Sequence, residues 1–394
     1  SFASAALLYG VVRRLSRTSR ASTAHGSRWL HVAPMMQHTD RHLRCLMRLL
    51  SRELVLWTEM VKDTAIVRNE GDKEALHRIL DTLDTPCSPK ERPMVLQLGG
   101  SNPKDLAEAV RIARPWGFDE INLNCGCPSP KVAQVQDGLG FGAQLMKNPE
   151  LVRQCTQAMC EQAAPGIEVS VKCRIGTHRS LDDMERDGDN LETLLDFIDT
   201  VSQSGVKRFA VHARSGILSG LNPDKNRKVP PLRHDLVCRL AEARDQLSIA
   251  INGGICSLEE AHQYHSQGLE VMVGRWALKS PWALADAHAR QLGRGWVIQE
   301  YLLHCERELT LGNEPNVFVI CKPLLHLFNG IPGSSEYRTV LDAGVAGVGT
   351  RKSSQSALSG SESFALLQSV LSDALSRLPA SCLVGEVATN QQEF

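Results

Sequence analysis

The stretch SIAINGGICSLEEAHQYHSQGLEVMVGR, residues 248–275, holds one complete structural unit. Residues 248–252 form a short apolar run that reads as a strand, and Gly253-Gly254 break it. Ser257 then stands where a helix start is expected, and residues 258–266 carry a helical pattern. A second apolar run, 271–274, follows. Two strands joined through a helix are expected to lie parallel, because so long a connection crosses over instead of folding back as a hairpin.

The same rhythm extends in both directions. Strands are expected at 31–34, 55–59, 94–98, 120–124, 168–172, 208–212, 248–252 and 271–274. Helical patterns fill the gaps, at 41–52, 104–113, 150–163, 191–204, 236–245 and 258–266, with Pro103 and Pro149 at expected first-turn positions. Eight βα units in a chain of 394 residues fit an α/β fold of the (β/α)8 TIM-barrel type. The barrel is expected to span 31–293, followed by a small all-α domain at 294–342. The remainder, 343–394, reads as linker and tail: 344–363 is rich in Gly, Ser and Ala, and 364–378 is amphipathic.

Composition sets outer limits. Lysine plus arginine and aspartate plus glutamate both number 44, so overall charge does not advertise a nucleic-acid partner. Residues 1–30 differ, with Arg13, Arg14, Arg17, Arg20 and Arg28 among Ser and Ala and no acidic residue before Asp40. That is the composition of a transit peptide for a mitochondrion or plastid, the alternative being a disordered basic leader on a cytoplasmic protein. No apolar run approaches the roughly 20 residues of a membrane span. The twelve cysteines form no CxxC pair, so neither a zinc site nor a disulfide framework is expected.

In a barrel the ends of the strands converge, and here they carry chemistry. They read Pro34-Met35-Met36, Gln97, Asn124-Cys125-Gly126-Cys127, Lys172, His212, Asn252-Gly253-Gly254 and Gly274-Arg275. Glycines after the last two strands let backbone approach an oxyanion, and Arg275 can neutralise it, which makes this a phosphate position. A lone Gly-Gly also makes a simple tight turn; Gly274-Arg275 one strand further on favours phosphate. Lys172 and His212 suit the electron-rich N1–C2=O edge of a reduced flavin, and the Gln97 amide suits its pyrimidine edge. Met35 and Met36 can cover a ring face. Cys127 lies on a Gly-Cys-Pro loop with no histidine in the motif to make it a thiolate. A free thiol titrates near about 8.5, so at neutral pH it can serve as a general acid.

Several stretches together resemble one family. These are VAPMMQHTDRH (32–42), RLLSRELVLWTEMV (48–61), LQLGGSNPKDLAEA (96–109), INLNCGCPSPKV (121–132), VSVKCRIG (169–176), VHARSGILSGLNPDKNRKVPPL (211–232), INGGI (251–255), VMVGRWA (271–277) and LHLFNGIPG (325–333). The series is similar to the A branch of the tRNA-dihydrouridine synthases. The resemblance implies FMN bound by Pro34, Met35, Met36, Gln97, Lys172, His212, Asn252, Gly253, Gly254, Gly274 and Arg275. It also implies Cys127 as proton donor, NADPH as reductant, and a helical domain that holds tRNA for reduction of D-loop uridines 20 and 20a. Within that reading Arg174, Lys225, Arg227 and Arg338 are expected to grip tRNA around the pocket mouth, and Asn124 to position the uracil. Pro130 stands where the family usually has an acidic residue, and Ser215 where it often has Lys. The rival readings are an FMN barrel acting on a free pyrimidine, of the dihydroorotate or dihydropyrimidine dehydrogenase type, and a tRNA-binding scaffold without catalysis.

Overall fold

The computed structural model describes residues 28–83, 91–129, 140–314, 316–346 and 358–385. Nearly all of the expected leader, Pro130 and the middle of the expected linker lie outside them. Eight parallel strands close into a barrel in chain order: β1 (Leu30–Val32), β2 (Val55–Lys62), β3 (Met94–Gly99), β4 (Glu120–Asn124), β5 (Glu168–Arg174), β6 (Arg208–His212), β7 (Ser248–Asn252) and β8 (Glu270–Val273). Each ladder is parallel, and β8 returns to β1 with Leu30 opposite Val271.

Side chains alternate along a strand, so each strand contributes every second residue to the barrel interior. The outward residues, such as Ile121, Leu123, Val169, Val171 and Ile251, are buried under the surrounding helices. The helices are tied at their starts by polar caps: Asp40 accepts from the Leu43 amide, Asn148 from Leu151 and Ser257 from Glu260. Pro103 and Pro149 occupy first-turn positions, as the sequence indicated.

The inward residues fall into levels. At the N-terminal end Arg208 contacts Glu168 at 3.1 Å and Glu120 at 3.6 Å and also pairs with Glu270. His31 bonds Glu270 at 3.0 Å and receives the Trp57 indole N–H at 3.2 Å. Above this ionic floor lies an apolar level of Ala33, Val55, Trp57, Val95, Ala210, Ala250 and Met272. The C-terminal end is polar again and forms the mouth. In β2 the register shifts between Trp57 and Met60, and the Thr58 hydroxyl fills the gap by accepting from the Gln97 amide at 3.1 Å.

Two boundaries differ from the sequence reading. The fold begins before residue 31: Arg28 pairs with Asp119 at 3.2 Å and Trp29 stacks on His262 and His265. At the expected junction 293/294 the helical run Ala287–Thr310 is broken into two stretches at Gly293, whose φ is 85°. The amphipathic piece of the tail docks. Helix Gly360–Leu375 buries Leu367, Leu371 and Ala374 against Ala287–Thr310 and Ser334–Val345, so the helical domain includes residues beyond 342. The Leu383 carbonyl then accepts from the Gly295 amide at 2.8 Å, beside the kink, where a side chain on Gly293 would collide with the Gly385 backbone.

The ionic floor makes a testable demand. Burial pushes the Glu120 carboxyl up, while burial opposed by His31 and Arg208 leaves Glu270 down at about 2. Arg208→Ala strands buried carboxylates and should lower unfolding free energy by about 3–5 kcal/mol in urea titration; a loss below about 1 kcal/mol would rule the floor out as a structural element. Glu270 has a folded pKa below its unfolded value of about 4.3. Its contribution is therefore full above that pH and is lost as pH falls towards about 2.

Candidate active site at the barrel mouth

The mouth is built from the last inward residue of each strand. Across the ladders Asn124 lies opposite Lys172, Arg174 opposite His212, and His212 opposite Asn252. Lys172 Nζ meets Asn252 Oδ1 at 3.3 Å, and Asn252 Nδ2 donates to the Met272 carbonyl at 2.8 Å, so Asn252 holds the amine in place. The Gln97 amide touches Asn122 at 2.9 Å and accepts from Asn124 Nδ2 at 2.8 Å. It is 1% exposed.

Cys127 sits on a loop fixed from three sides. Asn124 Oδ1 accepts from the amides of Gly126 and Cys127, each at 3.0 Å. Arg174 Nε donates to the Gly126 carbonyl at 2.8 Å, and the Ala143 amide donates to the Cys127 carbonyl at 2.8 Å. The Cys127 side chain is half-buried. Cys125, two residues earlier, is fully buried, and burial pushes its thiol far up. It packs, as its position nearer the strand suggested.

The electrostatics are one-sided. Burial lowers Lys172 to about 8, helped by Arg174. Burial also pushes His212 well below its usual value, and the charged groups acting on it, Arg174, Lys172, Arg214 and Arg275, are all cations. The ring makes no hydrogen bond among the described residues. Such a cluster is relieved by an anion. Gly253 and Gly254 have φ of 114° and 79°, and their amides find no acceptor among the described residues. A Cβ on Gly253 would lie 2.6 Å from His212 Cδ2, and one on Gly254 2.6 Å from Leu232. Only glycine fits there. Arg275 is exposed beside this turn, and Gly274 faces Met35, with room of 3.6 Å from a built Cβ to its sulfur. Among the described residues no cluster of His, Cys, Asp and Glu could hold a metal ion, and no helix is long and apolar enough to cross a membrane.

The family profile described as Dihydrouridine synthase (Dus) matches residues 31–361. The chain belongs to the dihydrouridine synthase family. Relatives include the tRNA-dihydrouridine(20/20a) synthases of Synechocystis sp., 43% identical over 79% of this chain and 88% of that one, and of Escherichia coli K12, 41% identical over 84% and 90%. The Vibrio cholerae enzyme of the same name is 42% identical over 78% of this chain and 89% of its own. Dihydrouridine synthases are flavin-dependent oxidoreductases, and the unpartnered glycine amides and the carboxylate-free cluster of cations fit an anionic flavin nucleotide.

The mouth brings Gln97, Asn124, Cys127, Lys172, His212, Asn252, Gly253 and Gly254 together at adjoining strand ends, with Pro34, Met35 and Gly274 on the neighbouring loops and Arg275 at the start of helix Arg275–Lys279. Met36 points outward, 55% exposed. Arg174 departs from the expected exposed tRNA contact. It is 3% exposed and donates to the carbonyls of Gly126, Ser215 and Asn226, which makes it an internal clasp. Asn124 likewise has its amide engaged with Gln97 and the cysteine loop. Lys225 and Arg227 are exposed on a 3-10 turn, Arg227 next to Asp224 at 3.5 Å. Arg338 lies half-exposed in the helical domain, acting on His326 together with Lys279. Sequence reading missed Asn226, whose buried amide pairs with both backbone groups of Ile217 and fixes the Lys225–Arg227 turn. It also missed Lys322, which reaches from the helical domain to the Gln37 carbonyl beside Met36.

Asn124→Ala removes the acceptor for two loop amides and the partner of Gln97. It should cost about 1–3 kcal/mol of stability and speed alkylation of Cys127, read by mass spectrometry. Unchanged alkylation would mean that Asn124 does not hold the loop.

Proposed function

We propose that this protein is a tRNA-dihydrouridine synthase that holds FMN at the barrel mouth, is reduced by NADPH, and saturates the C5=C6 bond of D-loop uridines 20 and 20a. The observation that carries the reading is the half-buried Cys127 thiol on a clasped loop beside an uncompensated group of cations. The names of the bacterial relatives support the substrate.

Gly253, Gly254, Gly274 and Arg275 would receive the phosphate. Lys172 and His212 would face the N1–C2=O edge, with Asn252 steadying Lys172; Gln97 would meet the pyrimidine edge and Pro34, Met35 and Met36 a ring face. Bound there, the flavin supplies the hydride that adds to C6 of the uracil. That addition places negative charge on the C4=O and C5 of the uracil, which a proton must quench. Cys127 donates it to C5. Asn124 and Arg174 act by holding the loop that carries the thiol. The phosphates of tRNA would meet Lys225, Arg227 and Arg338, joined by the exposed Lys279; since overall charge is balanced, binding rests on this local set. We propose further that residues 1–30 direct the protein to a mitochondrion or plastid, on their Arg-rich, acid-free composition.

Two measurements test this. The apoprotein titrated with FMN should develop bound-flavin absorbance, and Arg275→Ala should weaken affinity by roughly ten- to a hundredfold, as a lost charge-assisted contact does. No absorbance at excess FMN would refute the cofactor reading. In cells lacking the protein, dihydrouridine should vanish from positions 20 and 20a of organellar tRNA; loss from cytoplasmic tRNA alone would overturn the targeting, and no loss anywhere would overturn the substrate.

A further inference from the structure

The Gly253-Gly254 turn is held from behind by a pair of side chains that the reaction does not use. His234, at the start of helix His234–Ala243, places its Nε2 2.6 Å from the Gly253 carbonyl oxygen. Tyr264, on helix Leu258–Ser266, places its hydroxyl 2.9 Å from the other ring nitrogen of His234. The two rings meet edge to face at 5.4 Å. The helix before β7 and the helix after it thus converge on one carbonyl.

The chemistry of the pair fixes its protons. A carbonyl oxygen only accepts, so in the neutral ring Nε2 carries the hydrogen, and Nδ1 accepts from the Tyr264 hydroxyl. The backbone geometry fixes the consequence. In a planar trans peptide the C=O of Gly253 and the N–H of Gly254 point in opposite directions. Anchoring the carbonyl outward on His234 therefore aims the Gly254 amide inward. That amide has no acceptor among the described residues. Glycine at both positions leaves the turn with the widest choice of dihedrals, so an external anchor matters more here than at most loops. Leu232 packs beneath both glycines, and the Arg233 amide bonds the Ala213 carbonyl at 2.8 Å, which seats His234 at its station.

We propose that His234, oriented by Tyr264, is a positioning residue for the phosphate of the flavin nucleotide, holding the Gly253–Gly254 peptide with its N–H turned to the ligand. The proposal rests on the reading that this turn receives the FMN phosphate.

FMN and riboflavin differ only by that phosphate, so the pair separates an effect on the turn from general damage. Apoprotein titrated with each, followed by flavin fluorescence, should show wild type preferring FMN. His234→Ala should reduce that preference about tenfold, the loss expected for one hydrogen bond of about 1.4 kcal/mol, while riboflavin affinity stays within about twofold of wild type. His234→Gln, which keeps an N–H donor, should restore most of the preference, and Tyr264→Phe should lower it less than His234→Ala. Full FMN preference in His234→Ala, or equal weakening of FMN and riboflavin, would overturn the proposal alone. A wild type that binds riboflavin as tightly as FMN would instead overturn the phosphate position itself and the proposal with it.

Discussion

The Arg174 guanidinium, enclosed at the end of β5, donates to the carbonyls of Gly126, Ser215 and Asn226. These belong to the cysteine loop, the loop after β6 and the exposed turn of Lys225 and Arg227. Hydrogen bonds from a charged donor contribute about 1.5–3 kcal/mol each, and removing this one cation would release three segments at once. The charge has a second effect. Burial is the main reason His212 lies far below its usual pKa, and this charge, with Lys172, adds to it, so the group that shapes the mouth also contributes to its polarity.

The barrel delivers that arrangement because its interior is layered. A floor of paired charges around Arg208 closes the N-terminal end, and an apolar level including Trp57 and Met272 separates it from the mouth. Polar side chains at the bottom are mutually satisfied. Those at the top hold one another through amides and carbonyls, but the charges acting on His212 there are all cations, with no carboxylate to balance them. The difference between the two ends is the difference between a structural ion network and a binding site. The helical domain is not a detached appendix, since Arg41 joins Glu308 at 3.0 Å, His42 meets His304 at 2.9 Å, and Lys322 bonds the turn next to Met36. Residues that would meet tRNA are thereby fixed relative to those that would meet flavin.

Much of this was legible in the chain. In strands such as Glu120–Asn124 and Ser248–Asn252 the outward residues are apolar and the last residue polar, so strand limits followed from the short apolar runs and mouth residues from the groups at their ends. What sequence could not show was direction and distance. Arg174 follows Lys172 by two residues and so faces the same interior, but only the packed loops show that its hydrogen bonds go to carbonyls. The domain limit at 342 fell short because the Gly- and Ser-rich lead-in to the amphipathic tail resembles a linker, while docking depends on a groove made by two distant helices. His234 and Tyr264 carry no motif at all; they are 30 residues apart and meet only because their helices flank one strand.

The central claim is that the Cys127 thiol, held by Asn124 and Arg174, protonates the uracil ring. It is tested most directly by single-turnover reduction of tRNA with enzyme reduced beforehand. The account predicts that Cys127→Ala slows dihydrouridine formation by about 10²–10⁴, while its flavin is still reduced by NADPH at the normal rate and Cys125→Ala stays near wild type. A Cys127→Ala enzyme that reduced tRNA at the wild-type rate would contradict it.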